Sequence, residues 1–224
     1  RRLLDTETLD LVQLHCPPSA VIDDDATYDA LDQLVSEGVI AAYGVSVETM
    51  DQALSALRRP NLTNLQIIFN PFRLKPLDEV LPAAAAQGVA VFARVPLASG
   101  LLSGKYTVDT TFDKDDHRTY NRHGEAFDKG ETFSGVPFGE GVAAADELKA
   151  SLPDGVSLPA ATLAWIASRE GVTSVIPGAR STAQATANAG AAELLDGGFD
   201  LDAFDALVRD VYDRRLRAEI HPQW

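Results

Sequence analysis

Residues 83–96 read AAAAQGVAVFARVP. A run of alanines closed by glutamine is the end of a helix, and the glycine after it readily takes the left-handed conformation that stops one. The apolar run that follows is a strand. The same joint of helix, glycine and strand recurs at Glu37-Gly38-Val39 and at Glu170-Gly171-Val172. The strands after the three joints are 39–46, 89–96 and 172–179, and LDLVQLH (9–15) and LTNLQIIF (62–69) bring the number to five. Between them lie helical segments. In 24–37, Leu31, Leu34 and Val35 share a face behind an aspartate-rich start, and in 49–58, Met50, Ala53, Leu54 and Leu57 repeat at helical spacing. Residues 77–87 and 158–170 also read as helices. Asp200 is placed to cap a terminal helix that carries Leu201, Phe204, Val208 and Val211 on one side.

The first four strands start near residues 11, 39, 64 and 89, steps of about 25–28 residues, each the length of one strand-plus-helix unit. Strands alternating with helices imply an α/β fold with a parallel sheet. The even spacing favours a (β/α)8 TIM barrel over a doubly wound sheet, and no glycine-rich GxGxxG turn follows any strand. A full barrel takes about 250 residues. The 224 residues here hold about five units plus a C-terminal helix, in a single domain 1–224, with 99–137 spent on one long βα loop. The barrel is therefore expected to be incomplete, with three units preceding residue 1 and residues 1–8 the tail of a helix.

The chain has 33 acidic and 19 basic residues, a formal charge of −14. Phosphates would be repelled, so a nucleic-acid partner is not expected. The acid is spread over many segments and suits a solvated surface, compatible with salt tolerance. Cys16 is the single cysteine, which suits a reducing, cytoplasmic setting. No apolar stretch reaches 18 residues, so no membrane span is expected, and no signal peptide is visible.

In a barrel, chemistry sits at the C-terminal ends of the strands. Those ends carry His15, Ser46, Gln66 with Asn70, Arg94 followed by PLASG, and then PGARS at 177–181. Taken alone, His15 reads more simply as a core histidine bonded to backbone at a strand end. Polar or glycine-rich residues at every strand end are harder to explain as packing. IPGARS runs from a strand into the helix STAQATANAGAA. Free N–H groups at a helix start bind anions, and Arg180 adds a guanidinium fork suited to phosphate. The plainer reading of that stretch is a capped helix beside a surface arginine.

The stretches LDLVQLHCPP, AAYGVSV, LQIIFNPF, ARVPLASGLLSGKY and VIPGARSTAQATANAG together resemble the aldo-keto reductase family, NADPH-dependent reductases on a (β/α)8 barrel. The resemblance runs from about residue 5 to 195. It implies NADP(H) as cofactor and a small-molecule aldehyde or ketone as substrate. It makes His15 the active-site histidine that orients the substrate carbonyl, and Ser46 and Gln66 the residues that hold the nicotinamide carboxamide. Arg94 stands where many members carry an aromatic that stacks on the nicotinamide ring, a role a planar guanidinium can keep. Leu97, Ala98, Ser99 and Lys105 match the loop over the pyrophosphate, within a 99–137 connection that can close as a cofactor lid. Gly178, Arg180, Gln184 and Asn188 match the adenosine-phosphate end, with Arg180 on the 2′-phosphate. Val47 and Ala187 depart from the common pattern.

The family's aspartate, proton-donating tyrosine and lysine belong to strands before the histidine, and only 14 residues precede His15 here. The chain by itself is therefore expected to be inactive, with an aggregation-prone sheet edge at 9–15. A non-catalytic NADPH-binding or regulatory barrel subunit is the alternative, and retention of His15 leans toward an enzyme. An unrelated barrel isomerase would need acid–base residues at other strand ends. His117 and His123, beside Asp115 and Asp116, fit no metal-ligand spacing, so no metal site is expected. Cys16 reads as a small pocket wall and Trp165 as core.

Overall fold

A computed structural model describes residues 3–224. Five parallel strands run in the order β1-β2-β3-β4-β5, each beside its neighbour in sequence. They are β1 (Val12–His15), β2 (Tyr43–Val47), β3 (Asn64–Ile68), β4 (Ala90–Arg94) and β5 (Ser174–Val175). The expected α/β architecture with a parallel sheet holds. Strand 172–179 pairs over only two residues; Pro177, which has no N–H to donate to the ladder, follows at once, and residues 176–179 carry no regular structure. Residues 3–8 form turns and bends, so the expected helix tail is not found there, and Arg1 and Arg2 lie outside the described residues.

The helices that return the chain are α1 (Asp25–Ser36), α2 (Met50–Ala56), α3 (Val80–Gln87), α4 (Phe138–Ala150), α5 (Leu158–Ala167), α6 (Thr182–Gly190) and α7 (Leu201–Val211). Their ends follow from local chemistry. Asp24 caps α1 by accepting from Thr27 N, and Thr49 and Gln52 form a reciprocal capping box on α2. Asp200 caps α7 as expected, accepting from Ala203 N. Gly38 and Gly88 close their helices in the left-handed conformation read from the sequence, with φ of +69° and +70°, whereas Gly171, also left-handed at +87°, stands in a turn beyond Ser168, the residue that caps α5.

One face of the sheet is closed and the other is open. Val45, Val47, Leu65, Ile67, Val91 and Ala93 point toward the helices and are wholly buried. Alternate residues on the opposite face, such as Gln13, Gln66 and Phe92, are half-exposed. Strand periodicity forces this division, since successive side chains point to opposite faces. Among the described residues, β1 and β5 carry the free edges, so the sheet does not close on itself.

The 99–137 connection is folded. Tyr106 meets Phe112 edge-on at 5.2 Å, Phe133 and Phe138 lie 5.1 Å apart, and Arg118 covers Phe112 at 4.3 Å. Such stacked aromatic and guanidinium groups add packing energy beyond simple burial.

Candidate functional site

Register sets the site. His15 pairs with Ser46, Ser46 with Gln66, and Gln66 with Phe92, so the first three stand side by side on the open face. Arg94 lies two residues beyond Phe92, on the same face and nearer the C-terminal ends. The structure therefore brings His15, Ser46, Gln66 and Arg94 into one group. His15 is exposed, which removes the core-histidine reading.

Each side chain has a definite hold. Ser46 is fully buried, and its Oγ accepts from Cys16 N at 2.8 Å while its own proton points to Leu14 O at 3.4 Å. The Ser46 hydroxyl also lies 3.4 Å from Cys16 Sγ. Gln66 Nε2 donates to Gln13 Oε1 at 2.8 Å, and Gln13 in turn donates to Asn64 Oδ1. Asn64 donates to Ala90 O at 3.2 Å. This amide ladder fixes the row from below. Sequence reasoning missed Gln13 and Asn64. The signal was polar residues at alternate positions of apolar strands, Gln13 with His15 and Asn64 with Gln66.

Arg94 is buried. Nη1 pairs with the Glu131 carboxylate, Nη2 donates to Val47 O at 3.1 Å and meets Cys16 Sγ at 3.5 Å, and Nε has no partner among the described residues. Ser99 Oγ donates to Glu131 O at 3.1 Å and accepts from Phe133 N at 3.0 Å. Asn70 donates to Ser134 Oγ at 2.7 Å. Residues 131–134 are thus stapled over the ends of β3 and β4, and the hydroxyl of Ser99 is spent on them. Arg73, also missed, is buried beneath the same segment. It donates to Glu48 O at 2.6 Å and stacks on Trp224 at 4.1 Å, while burial draws its pKa down to about 10. Burial also pushes the Glu48 carboxyl up, with Asp128 and Glu131 adding to the rise.

Leu97 and the buried Ala98 lead into a tight turn in which Ala98 and Ser99 both take positive φ. Lys105 is exposed beyond it. A second group forms at the start of α6. Arg180 N donates to Gln184 Oε1 at 2.6 Å, and Asn188 Nδ2 donates to Gly178 O at 3.2 Å. Gln184 and Asn188 thereby shape the 178–181 turn. Ser181 caps the helix, and the Arg180 guanidinium pairs with no carboxylate among the described residues.

Cys16, Glu48 and Glu131 place possible donor atoms within 4.8 Å of one another, with Glu131 paired to Arg94. His117 and His123 are not part of this group; His117 sits against Asp116 and Ser99.

The aldo/keto reductase family profile matches residues 1–205. The chain belongs to the aldo/keto reductase family. An uncharacterized oxidoreductase of Mycobacterium bovis, Mb2320, is 31% identical over 197 residues, covering 86% of this chain and 57% of the relative. The glycerol dehydrogenase AKR11B4 from Gluconobacter oxydans superposes with a TM-score of 0.73 at 29% identity, covering 100% of this chain and 64% of that one. An aldo-keto reductase from Klebsiella pneumoniae in complex with NADPH shares the fold, with a TM-score of 0.61 at 21% identity over 94% of this chain and 61% of that one. The chain thus spans about three fifths of the length of the aldo/keto reductases it resembles. Among the described residues no helix is long and apolar enough to cross a membrane.

Proposed function

We propose that the chain is the cofactor-holding part of a cytoplasmic NADP(H)-dependent reductase of aldehydes or ketones. The observation that supports this most is the placing of two polar groups along the C-terminal side of one parallel sheet. His15, Ser46, Gln66 and Arg94 lie at one end of it, and an unpaired Arg180 beside a capped helix start lies at the other. The orphaned Nε of Arg94 suits a ligand with its own acceptors.

In this reading Ser46 and Gln66 hold the nicotinamide carboxamide, and the turn from Leu97 to Ser99, with Lys105 beyond it, borders the pyrophosphate. Gly178 lets that chain pass closely, and Arg180, in the turn kept by Gln184 and Asn188, takes the 2′-phosphate. The cofactor, when bound, supplies hydride. His15, exposed on the open face, hydrogen-bonds a small carbonyl substrate and fixes its orientation. Reduction also needs a proton at the carbonyl oxygen, a role that none of the grouped residues is assigned. The 99–137 connection acts as the cofactor lid. The chain by itself binds cofactor without turnover.

Arg180→Ala tests the phosphate assignment. It is expected to weaken NADPH binding by about tenfold or more, the scale of one charge-assisted fork, and to leave NADH nearly unchanged. Equal weakening of both cofactors in calorimetric titration would remove Arg180 from the 2′-phosphate.

A further inference from the structure

We propose that Glu131 is the positioning residue for Arg94 and that, through it, Glu131 sets how strongly the site distinguishes oxidised from reduced cofactor. The inference rests on the proposed function, since it needs a nicotinamide beside Arg94. Its basis is the pairing itself. The Arg94 side chain is 7% exposed, and the one carboxylate bound to it among the described residues is that of Glu131, 23% exposed. A guanidinium so buried is costly without a counter-charge. Glu131 comes from the long connection, and its backbone is fixed from below by Ser99. The remaining contacts of Arg94 are Val47 O and Cys16 Sγ, neither of which supplies a full negative charge. The Glu48 carboxylate lies within 4.8 Å of that of Glu131 but forms no ion pair with Arg94 among the described residues.

The two cofactor forms differ in charge at the ring: the oxidised nicotinamide carries one positive charge and the reduced ring none. Beside a neutral Arg94–Glu131 pair, the two rings meet similar potentials. Without Glu131, the uncompensated guanidinium repels the oxidised ring and is indifferent to the reduced one. Without Arg94, the bare carboxylate attracts the oxidised ring. Opposite substitutions therefore shift the discrimination in opposite directions, which a merely structural role for Glu131 would not do.

The test is the ratio of dissociation constants, Kd(NADP+) over Kd(NADPH), measured by equilibrium dialysis on the 224-residue chain and its variants. E131Q is expected to raise the ratio by about tenfold and R94M to lower it, as one charge at short range in a protein interior requires. If E131Q fails to fold, R94M carries the test: a fall in the ratio supports the pairing and an unchanged ratio overturns it. Equal weakening of both cofactor forms in E131Q also overturns it. A wild-type chain that binds neither form removes the proposed function and this inference together. Binding with an unmoved ratio removes only the inference.

Discussion

Gly44→Val is expected to destabilise the fold severely. Gly44 sits mid-strand in β2, in register with Gln13 on one side and Asn64 on the other. The Gln13–Asn64 hydrogen bond joins the strands on either side of it. A Cβ at residue 44 would lie 2.6 Å from Asn64 O and 2.9 Å from both Asn64 Cβ and Oδ1. The nearest of these atoms is backbone in the neighbouring strand, so relief requires breaking the β2–β3 ladder. Valine adds two further carbons into the amide ladder. A loss above about 4 kcal/mol, the range of severe core defects, is a large share of the roughly 5–15 kcal/mol by which folded chains are typically stable. Soluble yield and urea unfolding check it. A Gly44→Val protein with a near-wild-type midpoint would mean that β2 and β3 do not pair in this register.

Trp165→Ala is the second large effect. Trp165 is wholly buried on α5, packs on Phe69 with centroids 5.4 Å apart, and donates its indole N–H to Asp205 at 2.8 Å. Asp205 also holds Arg169 at 2.9 Å and Arg209 at 2.8 Å, so one carboxylate ties α5 to α7. Removing the indole is expected to cost about 3–5 kcal/mol in urea unfolding. Trp165→Phe keeps most of the volume and loses the hydrogen bond, for about 1–3 kcal/mol. Equal losses in the two variants would show that packing is not the dominant part. The Asp205 carboxyl also predicts a pH dependence. Burial raises its pKa, but Arg209, the Trp165 indole and Arg169 outweigh this and leave it below the ordinary value. A depressed carboxylate stabilises the fold above its unfolded pKa of about 4, and that contribution is lost as pH falls through the lower folded value. Trp165→Phe should therefore flatten the stability profile below about pH 4.

The strand–helix repeat was legible because it depends on local signals: glycines after helix ends at Gly38 and Gly88, the aspartate cap at Asp200, and apolar runs. The strand ends holding His15, Ser46, Gln66 and Arg94 were legible because period and register fix where a residue points. What could not be read were partners distant in sequence. Glu131 meets Arg94 across 37 positions, and Trp224 reaches Asp128 across 96. Such contacts depend on how the long connection folds, and its course is set by aromatic packing with no periodic pattern. Trp224 carried no signal in the sequence, yet its ring covers Arg73. The spending of the Ser99 hydroxyl on residues 131–133 was hidden for the same reason.

The central claim is that the C-terminal strand ends hold a nicotinamide cofactor in two anchored places. Backbone amide NMR shifts on titration with NADP+ test it most directly. The account predicts perturbations in two separate sets, residues 178–188 at the start of α6 and residues 46, 66 and 94–105 along the strand ends. Shifts confined to other surfaces, or none at saturating cofactor, would contradict it.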